Sequence, residues 1–380
     1  MQTTLSFWEK QSFLNYDLII TGGGIVGLST AVAFAERYPQ ASVLVLERGL
    51  FPSGASTKNA GFACFGSLTE LLDDLQAMPP EEMLRLVQDR WEGLQLLRQR
   101  LGDRAIGFKN YGGYELLTEF QAPALQRLEE VNKLLYPLFD ANVFSLATDK
   151  LKHFGFATGT VKYLVENRYE GQIDTGKMMK ALQKLATQQG IEIITGASVI
   201  AIKDQGENVA VSVQSGWTKQ PVQFIAGKVA VCTNAFAREL LPDLELVPGR
   251  GQVLITKPVP DLPFKGVFHY DEGYYYFRNY GSRIILGGGR NLDKKGEETT
   301  EPGTSAIIQD ALHRLLREVI IPGKSFEAEH TWSGIMAFGK IKKPIIRQVS
   351  ANVVTGVRLG GMGIAIGSLL GKRLADLLET

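Results

Sequence analysis

The fold is decided by the stretch Asp17-Leu18-Ile19-Ile20-Thr21-Gly22-Gly23-Gly24-Ile25-Val26-Gly27. An apolar run leads directly into the glycine pattern G-x-G-x-x-G. Small and apolar residues follow at helical spacing, and a second apolar run over residues 43–46 ends at Glu47. This order predicts a β-α-β unit whose glycine turn binds the pyrophosphate of a dinucleotide.

Each glycine of the turn has its own physical task. Gly22 permits the tight turn, and Gly24 lets backbone N–H groups approach a phosphate with no Cβ in the way. Gly27 allows the helix to pack close to the sheet. The positive end of the helix dipole then faces the phosphates. Glu47 accepts hydrogen bonds from an adenosine ribose, and its charge disfavours the 2′-phosphate of NADP.

Composition bounds the class of protein. The chain has 380 residues, 44% of them hydrophobic and 21% charged, as expected for a globular protein of about two domains. With a net charge of +1, the chain lacks the excess of positive charge that would indicate binding to nucleic acid or to an anionic membrane. Two distant cysteines, Cys64 and Cys232, suit a reducing compartment, so we expect a cytoplasmic protein. Residues 1–10 lack the apolar core of a signal peptide, and no apolar run has membrane length.

Five segments together resemble the D-amino-acid oxidase/glycine oxidase/sarcosine oxidase superfamily of FAD-dependent oxidoreductases. They are the glycine fingerprint ending in Glu47-Arg48, the loop Gly54-Ala55-Ser56-Thr57-Lys58-Asn59-Ala60-Gly61-Phe62, residues 174–199, Gly249-Arg250-Gly251-Gln252 and Gly360-Gly361-Met362-Gly363-Ile364. The resemblance implies an α/β fold in which a Rossmann-like FAD-binding domain is interleaved with a β-rich substrate domain, an antiparallel sheet with helices. We expect the FAD-binding domain in residues 1–85, 150–240 and 330–380, and the substrate domain in residues 86–149 and 241–329.

The same resemblance implies which residues bind FAD. The second glycine loop would lie beside the extended cofactor, and the C-terminal glycine turn would start a helix whose positive end faces the flavin. The expected cofactor-binding residues are Gly22, Gly24, Ile25, Val26, Gly27, Glu47, Arg48, Ser56, Thr57, Asn59, Ala60, Gly61, Phe62, Val199, Thr233, Asn234, Gly361, Met362, Gly363 and Ile364.

The chain departs from the family at informative positions. Members that attach FAD covalently use a cysteine that aligns with Gly334, so we expect non-covalent FAD. Lysine or another basic residue near the flavin in such members aligns with residues 284–286 and with Ala365, which are apolar here. This weakens the case for fast reaction with oxygen. The family pattern T-x-D-x-x-P reads as residues 339–344 without its Asp, which leaves the substrate open.

An arginine is the natural ligand for a substrate carboxylate, because its planar fork matches two oxygens. Arg250, Arg278 and Arg290 lie in the β-rich region. Arg278 shares one strand face with Tyr274 and Tyr276, so Arg278 is our first choice, with Tyr276 and Arg250 as further catalytic candidates.

The remaining candidates are weaker. The histidines His153, His269, His313 and His330 show no catalytic or metal-ligand spacing, so we expect no metal, although His269 is a minor candidate for substrate contact. Trp332 and Met336 fit the core better than a pocket wall.

The function indicated is oxidation of a small amine or amino acid by hydride transfer to flavin N5. The alternatives are an FAD-dependent 2-hydroxy-acid dehydrogenase and a non-catalytic flavin-binding protein. The sequence leaves the substrate, the electron acceptor and the oligomeric state open.

Overall fold

The computed structural model describes residues 5–214, 216 and 220–379, so four residues of the polar N-terminal segment lie outside it. Its α-helices are α1 (Phe7–Ser12), α2 (Ile25–Arg37), α3 (Ala55–Lys58), α4 (Leu68–Ala77), α5 (Pro80–Leu101), α6 (Asp103–Ile106), α7 (Leu128–Phe139), α8 (Leu151–Phe154), α9 (Thr175–Gln188), α10 (Ala306–Leu315) and α11 (Gly363–Leu377). Short 3-10 segments cover Glu119–Arg127, Thr148–Lys150, Asn234–Glu239 and Arg290–Asp293, and a π turn covers Leu316–Ile320.

The strands are β1 (Asn15–Thr21), β2 (Val43–Glu47), β3 (Phe62–Ala63), β4 (Gly113–Leu117), β5 (Phe144–Leu146), β6 (Tyr163–Asn167), β7 (Gly171–Gln172), β8 (Glu192–Thr195), β9 (Ser198–Asp204), β10 (Val209–Gln214), β11 (Val222–Val231), β12 (Val247–Thr256), β13 (Val267–Tyr270), β14 (Tyr275–Tyr280), β15 (Arg283–Gly288), β16 (Ala328–Phe338), β17 (Ile345–Ser350) and β18 (Val353–Val357). They form two large sheets and the small β3–β7 ladder.

The first sheet is built around the predicted β-α-β unit. Its order is β17-β18-β11-β1-β2-β8, and the pairs from β18 to β8 are parallel. Strands β9 and β10 extend it as an antiparallel arm. Strand β1 is covered on both faces, which explains its unbroken apolar run at Leu18, Ile19 and Ile20. Helix α2 is buried from Ile25 to Ala35, and α11 packs against it.

The second sheet has the order β16-β12-β15-β14-β13-β4-β6-β5 and is antiparallel except between β13 and β4. An aromatic core supports one face, in which Phe268 and Phe277 stack with their ring centroids 4.8 Å apart. Helix α10 packs against β12 and β15. The mixed α/β fold with a Rossmann-like sheet and a β-rich partner is therefore confirmed.

Strand membership differs from the expected domain limits in two places. Strand β6 lies within residues 150–240 and β16 begins at Ala328, yet both belong to the second sheet. The reason is pairing at long range: β6 pairs with β4, and β16 pairs along the length of β12. Helix α5, expected in the substrate domain from residue 86 onward, packs against α11 beside the first sheet.

Candidate active site

A cleft of about 630 Å³ takes its lining from both large sheets. The expected cofactor residues that line it are Gly22, Gly24, Ile25, Val26, Glu47, Arg48, Ser56, Asn59, Ala60, Phe62, Val199, Thr233, Asn234, Gly361, Met362, Gly363 and Ile364. Gly27, Thr57 and Gly61 do not line it. Three separate parts of the chain therefore meet around one elongated cleft, as an extended dinucleotide requires.

The glycine turn has the geometry that its sequence predicts. Gly22 has a φ of 101°, and a Cβ there would lie 2.8 Å from the carbonyl oxygen of Cys232. A Cβ on Gly27 would overlap the carbonyl oxygen of Gly22. Gly27 thus acts from behind the cleft, by letting α2 approach β1. Gly24 is the N-cap of α2 and faces the hydroxyl of Ser56.

Glu47 and the second glycine loop hold this turn in place. The Glu47 carboxylate accepts hydrogen bonds from the backbone N–H groups of Gly23 (3.0 Å) and Gly49 (2.8 Å). Ser56 Oγ accepts one from the N–H of Ile25 at 2.9 Å, which joins the two glycine-rich loops. Thr57 instead donates to the carbonyl oxygen of Pro52 at 2.7 Å, so it supports its own loop rather than the cleft wall.

Several observations show that these residues fit FAD. Helices α2 and α11 both begin at the cleft, so two positive helix ends face it. The buried Thr233 Oγ1 has no hydrogen-bond partner among the described residues, as expected of a group that contacts a ligand. At the C-terminal turn, Gly360 and Gly361 have φ values of 57° and 87°, which only glycine adopts freely.

Part of the cleft wall is aromatic. The rings of Phe62 and Tyr276 meet edge to face with centroids 5.6 Å apart, and Trp332 donates from Nε1 to the carbonyl oxygen of Lys58 at 2.8 Å. Burial raises the pKa of the Tyr276 hydroxyl to about 12, so it stays a neutral donor. Trp332 packs beside this wall, whereas Met336 lines the cleft directly, contrary to its expected place in the core.

Arg278 has a different place from the one expected. It shares a strand face with Tyr276, but it is 4% exposed and does not line the cleft. Its Nε donates to the carbonyl oxygen of Ala60, and its Nη2 donates to that of Ile173 at 3.1 Å. Burial lowers its pKa to about 10. The guanidinium therefore supports the back of the second glycine loop, residues 54–62, and is not free to bind a carboxylate from the cleft.

Arg250 is also occupied. Its Nε and Nη2 donate to the two oxygens of the buried Glu297 carboxylate, each at 2.8 Å, and it does not line the cleft. Arg290 does line the cleft, and its guanidinium carbon lies 4.1 Å from the centroid of the Phe338 ring. Burial lowers the pKa of Arg290, and the charges of Glu298 and Glu297 offset this effect only in part. The candidate for a substrate carboxylate is therefore Arg290.

His269 lies in a group of acids that sequence reasoning missed. It is 5% exposed and lines the cleft; its Nε2 lies 2.9 Å from Glu170 and its Nδ1 lies 3.4 Å from Glu70. Burial opposes a charged imidazole, but these carboxylates and Glu115 raise the pKa of His269 to about 9. A signal was present in the sequence, because Glu115 interrupts an apolar strand, where a charge indicates a buried partner.

Neither cysteine presents a reactive thiolate. Cys64 and Cys232 are free, buried and adjacent to the cleft. Burial raises the pKa of Cys64 well above its usual value and that of Cys232 to about 12. At Gly334, a Cβ would lie 2.6 Å from the Cβ of Lys58, so the position aligned with the covalent cysteine has no room for one.

Comparisons with known proteins give the family. The chain belongs to the family described as "FAD dependent oxidoreductase", whose model matches residues 17–377. It is 24% identical to the glycine oxidase of Geobacillus kaustophilus over 96% of this chain and 93% of that protein. A crystal structure of glycine oxidase from that organism superposes with a TM-score of 0.76 at 20% identity, over 97% of this chain and 96% of the other.

Two further relatives differ in length or substrate. The bifunctional protein ThiO/ThiG of Trichormus variabilis is 24% identical over 95% of this chain, which spans about half the length of that relative. The L-2-hydroxyglutarate dehydrogenase of Escherichia coli K12 is 24% identical over 66% of this chain and 60% of that protein. No helix among the described residues combines the length and the apolar character needed to cross a membrane.

Proposed function

We propose that the protein binds FAD non-covalently and oxidises a small amine or amino acid by hydride transfer to flavin N5. The observation that carries this proposal is one cleft whose lining includes the dinucleotide cradle, the aromatic residues Phe62 and Tyr276, and Arg290. Bound FAD would supply the hydride acceptor, and the chain would supply orientation and electrostatics. The cytoplasmic location expected from the cysteine content remains a prediction.

The cradle residues would each have one task. The N–H groups at the start of α2 would bind the pyrophosphate, and Glu47 would accept from the adenosine ribose. The start of α11 would face the flavin and stabilise negative charge that develops there. The high pKa values of Cys64 and Cys232 support non-covalent binding, because a covalent thioether needs a thiolate nucleophile.

At the substrate end, Arg290 would bind a carboxylate and Tyr276 would close the apolar wall. A charge-assisted pair of this kind contributes about 1.5–3 kcal/mol, which corresponds to roughly 10- to 100-fold in affinity. The pair would hold the substrate carbon in one orientation, and Phe338 would keep the guanidinium in place from the side.

The test is an anaerobic screen of amines, amino acids and 2-hydroxy acids that follows the flavin absorbance. We expect bleaching by an amine or amino acid, and for a carboxylate substrate Arg290→Ala should raise KM roughly 10- to 100-fold. The matched control is Arg127→Ala, which removes an exposed arginine paired with Glu130 and should leave KM unchanged. Bleaching by a hydroxy acid alone would favour the dehydrogenase alternative, and no bleaching by any class would favour a flavin-binding protein. Oxygen uptake against dye reduction separates oxidase from dehydrogenase.

A further inference from the structure

The groups gathered beside the aromatic wall of the cleft have the composition of a metal site. Cys64, Glu170 and His269 are all buried, and their ligand atoms lie within 4.8 Å of one another. Thiol, imidazole and carboxylate are the three ligand types that zinc binds in proteins.

The sheet topology explains why residues so distant in sequence meet here. Strands β3 and β7 pair antiparallel with Ala63 opposite Gly171, so continuing the register by one residue brings Cys64 opposite Glu170. His269 lies in β13 of the second sheet, opposite Tyr276. An ion bound by all three side chains would therefore join the β3–β7 ladder to the second sheet.

The Nδ1 side of His269 matches the surroundings of a metal-bound histidine, because it faces Glu70 Oε2 at 3.4 Å. On the other side of the ring, Nε2 shares a hydrogen bond with Glu170 Oε2 at 2.9 Å, which an ion bound between the two groups would replace. A ligating histidine commonly donates its second N–H to a carboxylate, which fixes the ring and its tautomer. Glu70 is itself held by the backbone N–H of Ser67 at 2.9 Å.

Glu170 supplies a second, independent observation. The side chain is 1% exposed, and its Oε1 has no hydrogen-bond partner within the described ranges of the chain. A buried carboxylate oxygen without a donor is costly unless a cation or a ligand satisfies it. Cys64 and His269 both line the cleft, so an ion has a path to the site from solvent.

We propose that Cys64, Glu170 and His269 bind a divalent zinc ion through Sγ, a carboxylate oxygen and Nε2, and that the thiol proton of Cys64 and the Nε2 proton of His269 are released to solvent as the ion binds. Glu70 orients the imidazole from behind. Three protein ligands leave the fourth tetrahedral position for water or a group in the cleft. The site lies in the same cleft as the dinucleotide cradle, beside the aromatic wall, and the proposal of an ion there does not depend on which substrate the protein oxidises.

The test uses the FAD-loaded protein, dialysed against a chelator and then titrated with zinc alone in competition with a chromophoric chelator. We expect one tightly bound zinc per chain. X-ray absorption at the zinc edge should show one sulfur at about 2.3 Å with nitrogen or oxygen at about 2.0–2.1 Å. His269→Gln, Glu170→Gln and Cys64→Ser should each lose tight binding, and Glu70→Gln should weaken it roughly 10- to 100-fold.

Cys232→Ser is the matched control, because it removes the other buried thiol and should keep the zinc. Flavin content and melting temperature check that each variant folds, and Glu170→Gln keeps the side-chain shape if Cys64→Ser does not fold. The proposal is overturned if wild type binds zinc no more tightly than His269→Gln. It is equally overturned if the bound zinc has no sulfur neighbour, or if Cys232→Ser loses the zinc while Cys64→Ser keeps it.

Discussion

Arg278 supports the second glycine loop, residues 54–62. Replacing it should lower the stability of the fold and weaken FAD binding, and should not change substrate recognition. The side chain is 4% exposed, and it donates to the carbonyl oxygens of Ala60 and Ile173. Arg278→Ala leaves both carbonyls buried without a donor, at a cost of about 1–3 kcal/mol each. The expected loss is therefore about 2–6 kcal/mol, a large part of the roughly 5–15 kcal/mol that stabilises a typical domain.

The loss has a defined location. Gly61 lies against this contact, because a Cβ there would be 2.5 Å from the carbonyl oxygen of Ile173 and 2.8 Å from Nη2 of Arg278. Loss of the guanidinium should therefore free the loop that lines the cleft at Ala60. Denaturant unfolding measures the stability change, and gel filtration followed by flavin absorbance measures FAD retention. Arg278→Lys should recover part of the loss, because an ammonium can reach one carbonyl but cannot reproduce the fork. Arg127→Ala is the control for removal of a positive charge.

The opposite result would refute this reasoning. If Arg278→Ala keeps its FAD and its unfolding free energy while KM for a carboxylate substrate rises tenfold or more, the guanidinium binds substrate after all. Arg290→Ala in the same assay should show the reverse pattern, with normal FAD content and a raised KM.

Three further predictions concern the cofactor. Gly27→Ala should abolish FAD retention and lower the melting temperature, because its Cβ would overlap the carbonyl oxygen of Gly22; a stable, yellow Gly27→Ala protein would contradict the close packing of α2. Glu47→Gln should weaken FAD affinity roughly 10- to 100-fold, since the carboxylate holds the N–H groups of Gly23 and Gly49, and equal affinity in a flavin titration would rule this out. Acid precipitation of wild type should leave the flavin in the supernatant, whereas flavin in the pellet would demonstrate a covalent bond.

The glycine turn at the start of α2 could be predicted because its determinants are local. Gly22 and Gly27 act on backbone within a few residues, so the motif alone specifies the turn and the helix contact. The order of apolar runs then identifies the β-α-β unit. Long-range pairing is different. Strand β16 joins the second sheet by pairing with β12, which lies about eighty residues earlier in the chain, and no local sequence pattern predicts this pairing.

The substrate end shows what residue spacing leaves out. Strand alternation correctly predicts that Tyr276 and Arg278 lie on one face of the strand. It does not predict that Arg278 contacts the second glycine loop through the carbonyl oxygen of Ala60. Likewise, Cys64, Glu170 and His269 have no metal-ligand spacing, because Cys64 and Glu170 meet through the β3–β7 pairing and His269 comes from strand β13 of the second sheet. The alternation of residues predicts which side chains share a strand face, whereas the tertiary fold determines which groups that face contacts.

The bonding partners of the three arginines explain why Arg290 is better placed than the other two to bind a ligand. Arg250 has a full carboxylate partner in Glu297, and Arg278 has three carbonyl partners, so an incoming anion would have to displace an existing bond at either residue. Among the described residues Arg290 has an aromatic ring beside it and no carboxylate within ion-pair distance, and burial lowers its pKa. A substrate carboxylate would add a directly paired counter-charge to the weaker influence of Glu298 and Glu297, and would recover part of the desolvation cost of this cation. An amine without a carboxylate gains nothing from contact with Arg290. A preference for carboxylate substrates over such amines should therefore disappear in Arg290→Ala.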